Sequence, residues 1–211
     1  MREIRLLAIP IFSLAGFRLI FTIVFLSLLL PYDISIFYAL NGLAAIQPVG
    51  MLAMFLTLIG GEIALALVAG GFWLASKSKS ERLDIPLVII FTIALSDLAV
   101  LLLKTAYFRP RPFQILSGVL LPMGPDNGSS FPSGHTARSF AVSTFILLKK
   151  GGRYFPLVLL SVGVALSRVI IGVHFPLDVT AGALLGIIVG VASFQYGKRT
   201  IDFLLRHIFA K

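Results

Sequence analysis

The chain has 211 residues, 58% of them hydrophobic and only 13% charged, with a mean hydropathy of +1.00. A soluble domain would carry roughly twice that charged fraction, so there is too little polar surface for water and a bilayer is the natural solvent. The formal charge of +9 does not mark a nucleic-acid binder, because the basic residues sit at the ends of long apolar runs, and the absence of cysteine excludes disulfides and thiolate metal sites.

About 20 mostly apolar residues are needed to cross the hydrocarbon core. Six stretches qualify, at about 8–30, 49–75, 86–104, 134–149, 155–173 and 177–197. The expectation is an all-α integral membrane protein, six transmembrane helices in one bundle, forming a single domain over residues 1–211. Arg2 and Arg5 resemble the start of a signal peptide, but the apolar stretch behind them is too long and no small-x-small cleavage pattern follows. Arg18, Glu62 and Asp97 lie within the first three spans, where charge is costly unless paired. A buried pair between Arg18 and one of the acids is expected; the alternative is that Arg18 snorkels and the acids are protonated or face water.

Further along, Gly182, Gly186 and Gly190 repeat at four-residue spacing on the sixth span, a stripe that lets a second helix approach closely. That helix is either a neighbour in the same bundle or one from a second copy, so oligomeric state stays open. Ile201, Leu204, Leu205 and Ile208 recur at helical spacing and read either as an interfacial helix or as a continuation of the sixth span.

Charge asymmetry sets orientation. Arg2, Arg5, Lys77, Lys79, Arg82, Lys149, Lys150, Arg153, Lys198, Arg199, Arg206 and Lys211 fall on one side of the six-span layout, so both termini are expected in the cytoplasm. Lys104, Arg109, Arg111, Arg138 and Arg168 break the rule by lying on the other side.

Those exceptions accompany unusual residues at the same membrane depth. Lys104 closes the third span and Tyr107-Phe108-Arg109-Pro110-Arg111-Pro112 follows. Ser130-Phe131-Pro132-Ser133-Gly134-His135 opens the fourth, Ser167-Arg168 approach the end of the fifth, and Val173-His174-Phe175-Pro176-Leu177-Asp178 lead into the sixth. Pro132 breaks any preceding helix and Ser133 is a good N-cap. The amides of Ser133, Gly134 and His135 would then be unpaired, a ready anion site that Gly134 leaves open to close approach. Lys104, Arg111 and Arg168 supply cations, the arginine forks matching phosphate geometry. Pro176 suits a first helical turn, which puts Asp178 within reach of His174, to fix its tautomer and leave the other ring nitrogen free to attack phosphorus. In the loop after Pro112, Asp126, Asn127 and Gly128 read as a turn rather than a site. Arg109 reads as a headgroup contact or an interfacial arginine, Arg138 as a phosphate support or a partner for an acid, and His207 as a tail residue.

Lys104-x6-Arg111-Pro112, Pro132-Ser133-Gly134-His135 and Ser167-Arg168-x5-His174-x3-Asp178 together resemble the three-part signature of the type 2 phosphatidic acid phosphatase superfamily, in order and internal spacing, over residues 104–178. The resemblance implies that His174 attacks phosphorus to form phosphohistidine, with Asp178 orienting it. It implies that His135 protonates the leaving oxygen and then activates water. Lys104, Arg111, Ser133, Gly134 and Arg168 would hold the phosphoryl oxygens, with no metal and no cofactor. The implied partners are membrane lipids and a lipid phosphate or diphosphate substrate, with no nucleic acid, acted on at the periplasmic or exterior face of the cell membrane. A polyprenyl (undecaprenyl-type) diphosphate, a cell-wall carrier lipid, is the first expectation. Phosphatidylglycerol phosphate, phosphatidic acid and lipid A phosphate are alternatives. A small transporter without catalysis would also carry intramembrane charges, but would not need a His–Asp pair beside a cation cradle.

Overall fold

The computed structural model describes residues 32–76 and 81–209. The expected span at 8–30 and Arg18 within it lie outside the described residues. Residues 1–36 and 37–211 form separate units; the second holds the elements below.

The regular secondary structure among the described residues is helical, without strands. In chain order the helices are α1 (Gln47–Ile59), α2 (Glu62–Ala75), α3 (Glu81–Ala106), the short α4 (Pro112–Ile115), α5 (Gly134–Lys150), α6 (Phe155–Ile170) and α7 (Pro176–Phe209). Three helices among the described residues are long and apolar enough to cross a membrane, at Arg82–Ala106, Gly152–Ile170 and Pro176–His207; the helical stretch Tyr32–Ala45 and α1, a pair bent by 108°, make a fourth if counted as one span. Their outward faces carry exposed leucine and isoleucine, such as Leu98 and Leu102 on α3 and Leu184 and Ile188 on α7, as a multi-pass membrane protein requires.

One expected span is corrected. Residues 49–75 are two helices, not one, because the chain breaks at Gly60-Gly61. A Cβ at Gly60 would collide with Val164 and stand 3.2 Å from Ser139 Oγ, so glycine lets the end of α1 close onto α5 and α6. The residues after 197 are also settled, as α7 runs unbroken to Phe209 and there is no separate interfacial helix.

Helix α5 is the centre of the unit. Ten of its seventeen residues, from Thr136 to Ile146, are buried on all sides, the mark of a helix enclosed by others. It packs against α3, α6 and α7. The glycine stripe of α7 lies on its backbone: a Cβ at Gly182 would come 2.7 Å from the Ser133 carbonyl and one at Gly190 2.6 Å from that of Ala141, while at Gly186 it would meet the Ala137 carbonyl. The stripe therefore serves packing within the bundle. An apolar cluster of Leu65 and Ala69 from α2, Ile85, Val88 and Ile89 from α3, and Val142, Phe145 and Ile146 from α5 fills the middle. At the other end of α7, Lys198 reaches Asp84 of α3 at 3.0 Å.

Candidate active site

The three motif segments meet at one end of the bundle. Proline at the start of α7 and Ser133 at the start of α5 set the two helix N-termini side by side, joined by a hydrogen bond from the Ser133 amide to the Asp178 carbonyl at 3.0 Å. The Ser133 amide is thus paired, contrary to the expectation of three free amides. Ser133 does occupy the N-cap with extended backbone, but its hydroxyl makes no cap bond and instead accepts from Thr136 Oγ1 at 3.1 Å. Gly134 and His135 begin the helix, where amides have no carbonyl one turn back to bond.

Asp178, in the first turn of α7, is fully buried. Its Oδ2 accepts the Phe175 amide at 2.8 Å, closing the helix start. The same oxygen stands 3.6 Å from His174 Nδ1, an ion-pair separation too long for a hydrogen bond; Nδ1 has no hydrogen-bond partner. His174 is 2% exposed. Burial pushes its imidazole down to about 4 against the pull of Asp178, and Arg168 and Arg111 add to the fall. The ring is therefore neutral near pH 7, as a nucleophile must be.

The cations surround this pair. Lys104, in the last turn of α3, donates to the Ser129 carbonyl at 2.8 Å. Arg111 is buried and spread over the carbonyls of Gly128 (3.1 Å), Val173 (3.0 Å) and Asn127 (2.8 Å). Arg168 donates to Thr57 Oγ1 at 2.9 Å, and its Nε is buried without a partner. His135 lines an open cavity of about 550 Å³ with Arg138, Arg168, Thr57 and the apolar residues Leu58, Ile63 and Leu67.

Three residues outside the motifs belong to this site. Arg109, expected at a headgroup or the interface, lies against the acid of α7: its Nη1 bonds Asp178 Oδ1 at 2.6 Å and its guanidinium lies 4.2 Å from the Phe175 ring centroid. Asp126 is a correction: it is not merely a turn, since its carboxylate lies 3.2 Å from Arg111 and 3.0 Å from Arg168. Those two guanidiniums outweigh the effect of burial and hold its carboxyl below the usual range. Thr57 gave no signal in the sequence. Arg138 takes the acid-pairing alternative, bonding Glu62 at 2.6 Å and Asp97 at 2.8 Å, with Nη2 3.5 Å from His135 Nδ1. The two intramembrane acids thus have a partner that is not Arg18. Among the described residues no three His, Cys, Asp or Glu side chains cluster to hold a metal ion.

Apolar helices of membrane-spanning length, with two arginines and a lysine gathered round a buried His–Asp pair, define a membrane protein of the lipid phosphatase class. The chain belongs to the PAP2 superfamily, whose profile matches residues 85–202. It is 29% identical over 180 residues to the undecaprenyl-diphosphatase BcrC of Bacillus subtilis strain 168, covering 82% of this chain and 89% of that one. It is 35% identical over 128 residues to a Bacillus licheniformis protein named bacitracin transport permease protein BcrC, a match that spans 60% of each chain. In three dimensions it is similar to the crystal structure of Aquifex aeolicus LpxE, with a TM-score of 0.67 and 31% identity over 77% of this chain and 94% of that one.

Proposed function

We propose that the chain is a metal-independent lipid phosphatase that works through a phosphohistidine intermediate. The observation that carries the reading is the meeting of a buried, neutral His174, faced by Asp178, with two arginines that already share an anion. His174 Nε2 attacks phosphorus while the bond to the lipid oxygen breaks, and His135 gives that oxygen its proton. Water then attacks the phosphohistidine, losing its proton to His135 as the P–N bond breaks and phosphate leaves. Lys104, Arg111 and Arg168, with Ser133 and the α5 amides at Gly134, hold the phosphoryl oxygens as charge develops. Asp178 keeps His174 oriented.

The substrate class is a lipid phosphate or diphosphate, because the cavity beside His135 has an apolar wall of Leu58, Ile63 and Leu67. Within it, a polyprenyl diphosphate is favoured by the likeness to an undecaprenyl-diphosphatase over nine-tenths of that protein's length. Phosphatidylglycerol phosphate, phosphatidic acid and lipid A phosphate are the alternatives. Both termini in the cytoplasm and a site facing the non-cytoplasmic side are supported by the distribution of lysine and arginine over a six-span layout in which α1 and α2 together make one broken span.

The test is phosphate release by purified protein from these four lipids, with His174→Ala as control. The variant is expected to lose at least about 10³-fold in rate. An unchanged rate in the variant rejects the mechanism; activity on water-soluble esters alone rejects the lipid assignment.

A further inference from the structure

Asp126 comes from the loop between α4 and α5, and its Oδ2 alone lies 3.0 Å from Arg168 Nη2 and 3.2 Å from Arg111 Nη1. One oxygen is thus shared by two guanidiniums from different segments, the way a phosphoryl oxygen is held. The remaining donors of Arg111 go to backbone carbonyls, and Arg168 has a buried Nε without a partner. Both arginine side chains are nearly closed to solvent, at 2% and 6%, whereas that of Asp126 is 45% exposed. The arginines are fixed and the acid is the member that can leave. Met123, from the same loop, lines the cavity beside His135.

We propose that Asp126 is a specificity-determining residue: its carboxylate occupies the phosphoryl position in the empty site and must be displaced by substrate. The proposal rests on reading Arg111 and Arg168 as phosphate ligands. Its consequence is a charge threshold. The phosphodiester headgroups that make up bulk phospholipid carry one negative charge at phosphorus, the same as the resident carboxylate, and gain nothing by exchange. A terminal phosphate or diphosphate carries about two, and the second charge drives Asp126 out. The site is thus kept empty of the abundant diesters around it while admitting esters that it can hydrolyse, a form of selection by a repulsive element.

The test compares the full-length wild type in detergent micelles with Asp126→Asn and Asp126→Ala, using phosphatidic acid as substrate. Orthovanadate, inorganic phosphate and phosphatidylglycerol serve as inhibitors. In both variants the inhibition constants for orthovanadate and phosphate, and KM, should fall together, on the order of tenfold. Phosphatidylglycerol, expected not to inhibit wild type, should become a competitive inhibitor of both variants. Unchanged or weaker oxyanion inhibition, at the wild-type melting temperature, overturns the role of Asp126 and leaves the phosphatase reading standing. Tighter oxyanion binding without phosphatidylglycerol inhibition overturns the selection against diesters. Wild type that neither releases phosphate nor binds orthovanadate overturns both readings. A structure of wild type with orthovanadate bound decides the point without a variant: Asp126 displaced supports the proposal, and Asp126 still bridging both arginines overturns it.

Discussion

Asp178 has two carboxylate oxygens and three neighbours, and the division between them shows what holds the acid that faces His174. Oδ1 goes to Arg109 and Oδ2 to the Phe175 amide, with His174 Nδ1 at 3.6 Å. The acid is therefore anchored by groups other than the histidine, and its position does not depend on the ring's protonation. Arg109→Met leaves a buried carboxylate without its cation, a loss worth about 3–5 kcal/mol when such a pair is broken. We expect a clear drop in melting temperature and in kcat, with KM changing less. The pH profile carries a second expectation. Because burial lowers the His174 ring from 6.5 to about 4, protonation of this nucleophile should not limit kcat/KM in the free enzyme until the region of pH 4. Stability follows the same sign: the unfolded ring binds its proton at higher pH than the folded one. The contribution of this group is complete above about pH 6.5 and declines as pH falls toward 4, readable as a falling melting temperature in that window.

At the scale of elements, the packing of α5 against α7 positions two of the motifs. Gly182, Gly186 and Gly190 set the backbones of those helices in contact, so Ser133 and Asp178 can bond directly. Gly186→Val drives a branched side chain into the Ala137 carbonyl and should cost about 1–3 kcal/mol or more, lowering melting temperature and activity together. Gly70→Val on α2, where a new Cβ meets nothing within 4 Å, is the matched control and should leave activity intact. Local periodicity and punctuation made much of this frame readable. Pro176, Pro132 and Ser133 announced two helix starts, and the third, fourth and fifth spans fall within α3, α5 and α6 apart from a few terminal residues. The break at Gly60-Gly61 was hidden, because hydropathy runs unbroken across it and only the contact with Val164 explains the glycine. Asp126 and the pairing of Glu62 and Asp97 with Arg138 were hidden for a related reason: each joins segments 41 to 76 residues apart or a loop whose path no local rule dictates.

For the whole molecule, the charge distribution gives an orientation that can be measured. On the proposed topology the Lys149–Arg153 turn faces the cytoplasm, so an impermeant amine-reactive label should reach it in inverted vesicles and not in intact cells. Labelling from outside intact cells would reverse the orientation and the assignment of the active-site face.

Helix α5 has seventeen residues, roughly 25 Å of rise, against a hydrocarbon core of about 30 Å. On the proposed topology, with Lys149 and Lys150 at the cytoplasmic interface, the His135 end of α5 falls short of the other one, so headgroups must sink, or the leaflet dip, for phosphate to meet the ring. The surrounding lipid should then act as a rheostat on turnover: short acyl chains bring the headgroup plane down to the ring, and long or sterol-stiffened ones lift it away.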